Sequence, residues 1–450
     1  MLDTKSLAVL SQALEKLDSG FGNLPEFKAR SFDLEQFAQV LNSTAEKLQN
    51  NFPYFHPLYA GQMLKPPHPI ARLAYALAMY VNPNNHALDG GRATSALEKE
   101  AVAGIAAMFG WREFIGHLCG GGTMANLEAL WVAGQIHPGK KILANEQAHY
   151  THKRISGVLQ LGFESVHCDV RGRMDLAALE GRVKKGDVGT VVATLGTTAT
   201  GSTDPLVEIL ELSKRFGFRV HVDTAYGGYF KLVTNLAEPA RKAFEKIGEA
   251  DSIVIDPHKH GLQPYGCGCV LFRDPGVGKL YKHESPYTYF SSTELHLGEI
   301  SLECSRPGAA AAALWATQKL FPLVTGGEFA RGLEAGREAA IQLYARLKND
   351  ERFVPAFEPE LDIIVFLPNE HSREKAAVRS REIFDAAAKS DLHLAVAELP
   401  ARFWSGVPFA SSTETVSCLR SVLMKPEHLE WVEPIWERLL QAYQDTKSLA

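Results

Sequence analysis

A lysine at the end of an apolar run carries the clearest chemistry in this sequence. In Ser252-Ile253-Val254-Ile255-Asp256-Pro257-His258-Lys259-His260-Gly261, a stretch with strand character is stopped by proline, and a His-Lys pair follows at once. Such a lysine can face a ligand rather than bulk water. Beside His258, in a partly desolvated pocket, its amine becomes a nucleophile toward aldehydes. Taken alone, Lys259 also fits an exposed loop lysine, the commoner state of that residue. A second run, Arg219-Val220-His221-Val222-Asp223-Thr224-Ala225-Tyr226-Gly227-Gly228, ends in an acid. An ionised Asp223 behind apolar residues needs a cationic partner, and a protonated pyridine nitrogen is one. Small Ala225 leaves room for a flat ring. The alternative is an Asp that caps the following turn.

Four further places add to these. In Leu118-Cys119-Gly120-Gly121-Gly122-Thr123-Met124-Ala125-Asn126-Leu127, three glycines precede a helix expected to start near Thr123. Free amides at a helix N-terminus, with the Thr hydroxyl, suit a phosphate. The stretch lacks the lysine of a P-loop and the full dinucleotide-binding pattern. His149, just past the apolar run at Ile142, can stack on an aromatic ring or serve as a structural histidine. Thr194-Leu195-Gly196-Thr197-Thr198 ends a run in hydroxyls. Arg420, in the apolar Ser417-Cys418-Leu419-Arg420-Ser421-Val422, must find an anion, and a carboxylate matches its planar fork. A lysine, an acid, a phosphate cradle and a stacking histidine at the strand ends of one sheet together fit pyridoxal phosphate: aldehyde, pyridine nitrogen, phosphate and ring.

The elements that must hold these residues follow from periodicity. Apolar residues recur at helical spacing in the first fifty residues, as Leu7, Leu10, Leu14, Leu17 and then Phe32, Leu34, Phe37, Val40, Leu41. Residues 52–69, rich in Pro, His and aromatics, read as an irregular arm. Residues 94–109 predict an amphipathic helix with its N-cap at Thr94. Between about 115 and 275, apolar runs at 142–144, 189–195, 218–222, 253–255 and 269–272 alternate with helical stretches such as 123–134 and 205–216. That alternation predicts an α/β fold with a mostly parallel sheet covered by helices on both faces. Ligands bind outside the carboxyl ends of such strands. Helices expected at 328–349, 372–389 and 426–443, with apolar segments 361–366 and 416–423, predict a smaller α/β domain. The expected division is an N-terminal helical arm over 1–90, a large domain over 91–325 and a small domain over 326–450.

Composition narrows the functions. The chain has 450 residues, 46% of them hydrophobic, with 47 Lys and Arg against 52 Asp and Glu for a net charge of −5. A disordered chain, a collagen-like fibre and a disulfide scaffold are excluded. The basic excess of a nucleic-acid or membrane-surface binder is missing. No apolar run reaches the ~18 residues of a membrane span; the longest, 70–81, contains Arg72 and closes at Asn82-Pro83. The start, Met1-Leu2-Asp3-Thr4-Lys5, lacks a secretory pattern. Six cysteines include Cys267-Gly268-Cys269 but no paired CxxC sets, so no metal is expected and reduced thiols in a cytoplasm are the default. The hexapeptide at 3–8 recurs at 445–450, for which we have no physical account.

In combination, Asp256-Pro257-His258-Lys259 and His221-Val222-Asp223-Thr224-Ala225-Tyr226-Gly227-Gly228 resemble the group II pyridoxal-phosphate-dependent amino-acid decarboxylases. These include the aromatic-amino-acid, glutamate and archaeal tyrosine/aspartate enzymes. The resemblance runs from about Pro53 to the C-terminal helix, and 256–272 looks most like the archaeal type. It implies a fold-type-I enzyme and a homodimer with a shared active site, which an arm including Tyr54 and Tyr59 reaches from the partner. It implies Lys259 as the Schiff-base lysine, Asp223 at the pyridine nitrogen, and His149 and Ala225 on the two ring faces. Gly122, Thr123 and His258 would belong to the phosphate site, Thr198 to the ring substituents, and Arg420 to the substrate α-carboxylate. Two positions depart from the pattern. Asp256 stands where animal aromatic-amino-acid decarboxylases have Asn. The loop 283–299, whose counterpart carries a proton-donating Tyr, has Tyr287 and Tyr289, neither at the matching position; both also fit packing aromatics.

The expected reaction is decarboxylation of an L-amino acid to its amine, with the aromatic arm favouring a substrate such as tyrosine over aspartate or glutamate. Three alternatives stay open: a C–C lyase resembling sphingosine-1-phosphate lyase, a decarboxylation-coupled aldehyde synthase, and a non-catalytic pyridoxal-phosphate-binding protein.

Overall fold

The computed structural model describes residues 4–22, 24, 25, 27, 28, 30–282 and 297–447. Its larger sheet is built from β1 (Ile115–Cys119), β2 (Lys141–Asn145), β3 (Phe163–Val166), β4 (Val188–Thr194), β5 (Arg219–Asp223), β6 (Ser252–Ile255) and β7 (Gly268–Phe272). The order is β1-β7-β6-β5-β4-β2-β3. β7 runs antiparallel to both neighbours, and the pairs β2–β3, β2–β4, β4–β5 and β5–β6 are parallel. The carboxyl ends of β1, β2, β4, β5 and β6 therefore share one edge.

These strands form because both of their faces are covered. All seven residues of β4 and all four of β6 are buried, as expected of near-continuous apolar strands in a parallel sheet. Along β6, Ile253 and Ile255 join one apolar cluster and Val254 the opposite one, which is the two-residue period of a strand. The helix Gly122–Ile136 packs Ala125, Ala129 and Val132 on the Val254 face. The helix Leu206–Phe216 buries Leu206, Ile209 and Leu210 on the other. It stops where Gly217 takes a left-handed φ of 74°, the conformation glycine adopts most freely.

A second, antiparallel sheet of β8 (Phe353–Pro355), β9 (Ile363–Pro368), β10 (Ala395–Pro400) and β11 (Thr415–Val422) has the order β10-β11-β9-β8. Helices Glu328–Lys348, Arg373–Lys389 and His428–Lys447 cover it. Ser372 caps the middle one by accepting from Lys375 N at 3.3 Å. The helix Glu328–Lys348 joins the two cores: Phe329, Ala330 and Leu333 pack with the large sheet, Leu343 and Leu347 with the small one.

Several sequence expectations change. The helix expected at 94–109 spans Leu88–Met108, with non-helical φ/ψ at Gly91. Thr94 is therefore interior, and its hydroxyl donates to Asn85 Oδ1 rather than capping. β1, β3 and the alanine-rich helix Gly308–Leu320 were not anticipated. The strands are four or five residues long, and alanine favours a helix without an amphipathic pattern to reveal it. Residues 52–68 form no helix or multi-residue strand, as the arm composition implied. Ahead of them, helices Thr4–Ser19 and Leu34–Leu48 bury no residue, and Leu7, Phe37, Val40 and Leu41 stand exposed. No described helix is long and apolar enough to cross a membrane.

Candidate active site

One cavity of about 460 Å³ opens at the shared carboxyl edge of the large sheet. The strand ends supply its chemistry. β5 ends in Asp223, β4 in Thr194, and Asp256, His258 and Lys259 follow β6; all line the cavity. Gly120–Gly122 follow β1, and His149 follows β2. The sheet thus brings together the predicted residues Lys259, Asp223, His149, Gly122, Thr123, Thr198, Ala225 and His258 around one space.

At the floor, Asp223 is almost fully buried. Its Oδ2 accepts from His152 Nε2 at 2.8 Å and its Oδ1 from Ala225 N at 3.0 Å. Burial pushes this carboxyl up. The bond and charge of His152, with the Ala225 N–H and His221, more than offset burial and hold Asp223 well below the usual carboxylate range. An ionised carboxylate has room for further donors beyond these two. His149 bonds Thr151 Oγ1 through Nδ1, and its ring lies tilted on Tyr150 at 4.5 Å. Burial lowers its imidazole pKa, with Asp223 opposing.

The Lys259 amine lies 3.0 Å from Asp256 Oδ2. Asp256 is buried, and its Oδ1 has no hydrogen-bond partner. His258 donates from Nδ1 to the Cys267 carbonyl at 2.9 Å and sets Nε2 3.5 Å from Asp256 Oδ2. Burial lowers the His258 pKa, opposed mainly by Asp256.

The glycines form a cradle for steric reasons. Gly121 has φ +142°, and a Cβ at Gly122 would stand 2.7 Å from Asp256 Oδ2. Gly121 is the N-cap of the following helix and has no side chain to satisfy its first amides. These N–H groups and the Thr123 hydroxyl are left for an anion. Gly120 N already donates to Glu303 Oε2 at 3.0 Å.

Two predicted residues lie elsewhere. Arg420, on β11, is buried and does not line the cavity. Among the described residues its hydrogen-bond partners are neutral oxygens, not an anion. Its guanidinium donates to Ala199 O at 3.0 Å, Thr198 O at 2.7 Å, Gly61 O at 3.2 Å and Gln62 Oε1 at 3.1 Å. Neutral oxygens from two loops satisfy it instead. Four of its five N–H groups are used, and one at Nη2 remains. Tyr59 packs in an aromatic cluster with Tyr54 (4.9 Å) and Phe52 (6.1 Å) and does not line the cavity of its own chain. Tyr287 and Tyr289 lie outside the described residues.

Sequence reasoning missed His152 and Glu303, and it named Thr194 only as one of the hydroxyls that end a run. The signal for His152 was its spacing, His149-x-x-His152, which puts both rings at the start of the helix Thr151–Val158. Glu303 approaches from a segment far along the chain and left no local mark.

The family model described as pyridoxal-dependent decarboxylase conserved domain matches residues 127–368. The chain belongs to this family. Its chemistry is the pyridoxal-phosphate-dependent decarboxylation of an amino acid. The L-tyrosine decarboxylase of Enterococcus faecium is 27% identical over 438 residues, covering 73% of this chain and 72% of that one. A probable L-tyrosine/L-aspartate decarboxylase of Methanothermobacter thermautotrophicus is 29% identical over 317 residues, covering 68% and 82%. The fold is that of mouse CSAD, with a TM-score of 0.80 at 20% identity over 99% of this chain and 100% of that one.

The cavity fits the family's cofactor on its own evidence. A buried ionised acid, an uncapped helix start behind three glycines and a lysine amine all face it. Thr194 Oγ1 and Asp256 Oδ1, both buried at its wall, still lack hydrogen-bond partners.

Proposed function

We propose that this decarboxylase acts on an aromatic L-amino acid, tyrosine ahead of aspartate or glutamate, and releases the amine and CO2. One observation carries the residue assignments: a carboxylate held ionised at Asp223 and the amine of Lys259 face the same cavity across a glycine cradle. Pyridoxal phosphate supplies, when bound, a sink for the electron pair released as CO2 leaves.

We assign the protein's part as follows. Lys259 is the amine that would hold the cofactor's aldehyde, and Asp256 is its counter-charge at 3.0 Å. Asp223 keeps a proton at the pyridine nitrogen, and a buried preorganised charge of this kind is a large source of rate. His149 and Ala225 would hold the cofactor's ring, Gly122, Thr123 and His258 its phosphate, and Thr198 its ring substituents. Arg420 offers its remaining N–H to the substrate carboxylate. It also ties the loop after β4 to the arm at Gly61 and Gln62.

The aromatic arm supports the substrate class, as does the name of the Enterococcus relative, while the Methanothermobacter relative is named for tyrosine and aspartate alike. Tyr59 would reach a substrate in the partner's site. We infer a homodimer, in which the unburied apolar residues of Thr4–Ser19 and Leu34–Leu48 find cover against a second copy.

The test is product analysis of the pyridoxal-phosphate-loaded protein with a panel of L-amino acids, following CO2, amine and aldehyde. Tyramine and CO2 from tyrosine, absent in Lys259→Ala, support the reading. CO2 and amine from aspartate alone overturn the substrate class. Aldehyde with ammonia overturns the amine product and turns attention to the loop that carries Tyr287 and Tyr289.

A further inference from the structure

A second cavity, of about 680 Å³, lies behind the arm and shares no lining residue with the first. Among the described residues, no carboxylate pairs with three of the cationic side chains on its wall. Lys65 Nζ donates to the Met424 carbonyl at 3.3 Å, and Lys425 Nζ to the Tyr59 carbonyl at 2.6 Å. Arg72 Nε is buried with no acceptor. With Arg331, the wall carries four cations against two carboxylates, Glu328 and Glu427. Cationic side chains therefore outnumber carboxylates on this wall, in a chain whose net charge is −5. His260, almost fully buried, also faces this space with its Nδ1 unpartnered.

Unpaired cations in a partly desolvated space are costly, and the cost shows in the amines. Burial pushes Lys65 down to about 8, with Asp362 and Glu427 opposing. Burial and then the neighbouring Lys65 charge push Lys425 to about 7. An anion between them relieves both effects. Apart from His68, the rest of the wall is apolar, with Phe55, Phe321, Phe329 and Leu333. A cavity of apolar walls with a few convergent polar groups is the usual form of a small-molecule site.

We propose that this cavity binds an organic dianion, a phosphate monoester or a dicarboxylate with an apolar body, as a second ligand distinct from cofactor and substrate. A bound dianion would favour the charged form of both amines and then face four cationic side chains against two carboxylates. The guanidinium of Arg72 and the two ammonium groups are donors suited to either head group. The site lies a few side chains from the first cavity. His260 follows Lys259 in the chain, and its Nε2 lies 3.2 Å from Asp362 Oδ2. Tyr226, which lines the first cavity, donates to Asp362 Oδ1 at 2.6 Å.

Calorimetric titration of the pyridoxal-phosphate-loaded enzyme tests this, because the cofactor's own phosphate site is then filled. The probes are phenyl phosphate, benzylmalonate and neutral benzyl alcohol. We expect one site per chain for phenyl phosphate, benzylmalonate or both, and none for benzyl alcohol. Which dianion binds separates the two head groups. Affinity should fall at least tenfold in Arg72→Gln and in Lys425→Met, with cofactor absorbance unchanged. No hydrogen bond of the Arg72 side chain is seen among the described residues, so Arg72→Gln decides alone should Lys425→Met fail to fold. Absence of binding by both dianions, or binding that Arg72→Gln leaves intact, overturns the proposal.

Discussion

Asp223 Oδ2 and His152 Nε2 are 2.8 Å apart, and both side chains are almost fully buried. His152 lines neither cavity. It acts through the acid, as a positioning residue, by donating a hydrogen bond that is stronger to the ionised carboxylate than to the protonated one and so favours the ionised form. Asp223 lies well below its ordinary pKa because this bond and charge exceed the effect of burial. Replacing His152 by Leu removes the bond and leaves burial to raise the acid. We expect the acid limb of the kcat profile to move to higher pH and kcat to fall about 10–100-fold, the worth of a hydrogen bond to a charged group. His152→Gln, which can still donate, should recover part of both. Activity that falls equally at every pH would show that His152 merely supports packing.

The glycine cradle makes a separate prediction. A Cβ at Gly122 would sit 2.7 Å from Asp256 Oδ2, the oxygen that pairs with Lys259 at 3.0 Å. Gly122→Ala must therefore push Asp256 aside at the point where phosphate and lysine are held. Pyridoxal phosphate affinity should drop about tenfold or more, which is about 1.4 kcal/mol. Circular dichroism of the apoprotein should stay unchanged. Equilibrium titration of cofactor absorbance measures it, and an unaltered affinity would remove Gly122 from the phosphate site.

Arg420 was expected to bind a carboxylate, and the structure gives it a second task. Four bonds to oxygens of Thr198, Ala199, Gly61 and Gln62 hold two loops together. Arg420→Ala leaves several of these oxygens without a donor, which should cost about 3 kcal/mol or more of stability. Arg420→Lys keeps the charge but loses the fork. It should lie between wild type and Ala in stability and raise KM more than it lowers kcat. Urea unfolding beside steady-state kinetics checks both. A raised KM with unchanged stability would confine Arg420 to the substrate.

The large sheet and its strand-end residues were legible because each sits in a short local motif. Lys259 and Asp223 each end an apolar run, and a parallel sheet brings such ends to one edge. What was not legible comes from long sequence separations. Gln62 reaches Arg420, and Glu303 reaches Gly120, across more than 180 residues. No periodicity encodes those meetings. The Thr94 N-cap failed for a local reason. The helix begins six residues earlier, and its capping-type residue bonds Asn85 across the kink at Gly91 instead.

Buried neutral histidines set the response of stability to acid. His221 is buried between Ser252 Oγ and Asn126 Oδ1, at 2.9 and 2.8 Å. His428 is buried and accepts from Lys425 N at 3.1 Å. Burial first, then His152 for His221 and Lys425 for His428, lowers each pKa to about 3. The unfolded chain binds these protons near pH 6.5 and the folded chain does not. Stability from each group is thus complete above about pH 6.5 and is lost as pH falls toward 3. At pH 5 each should have cost the fold about 2 kcal/mol. Asp204 has the opposite sign. Burial raises it to about 6, so the folded chain takes up a proton first and regains about 1.4 kcal/mol at pH 5. His428→Asn keeps an acceptor for Lys425 N but cannot titrate in this range. Urea unfolding at pH 7 and pH 5 should show wild type losing about 2 kcal/mol more than this variant. Equal losses in the two proteins would mean that His428 is already protonated in the fold at pH 5, or that water reaches it there.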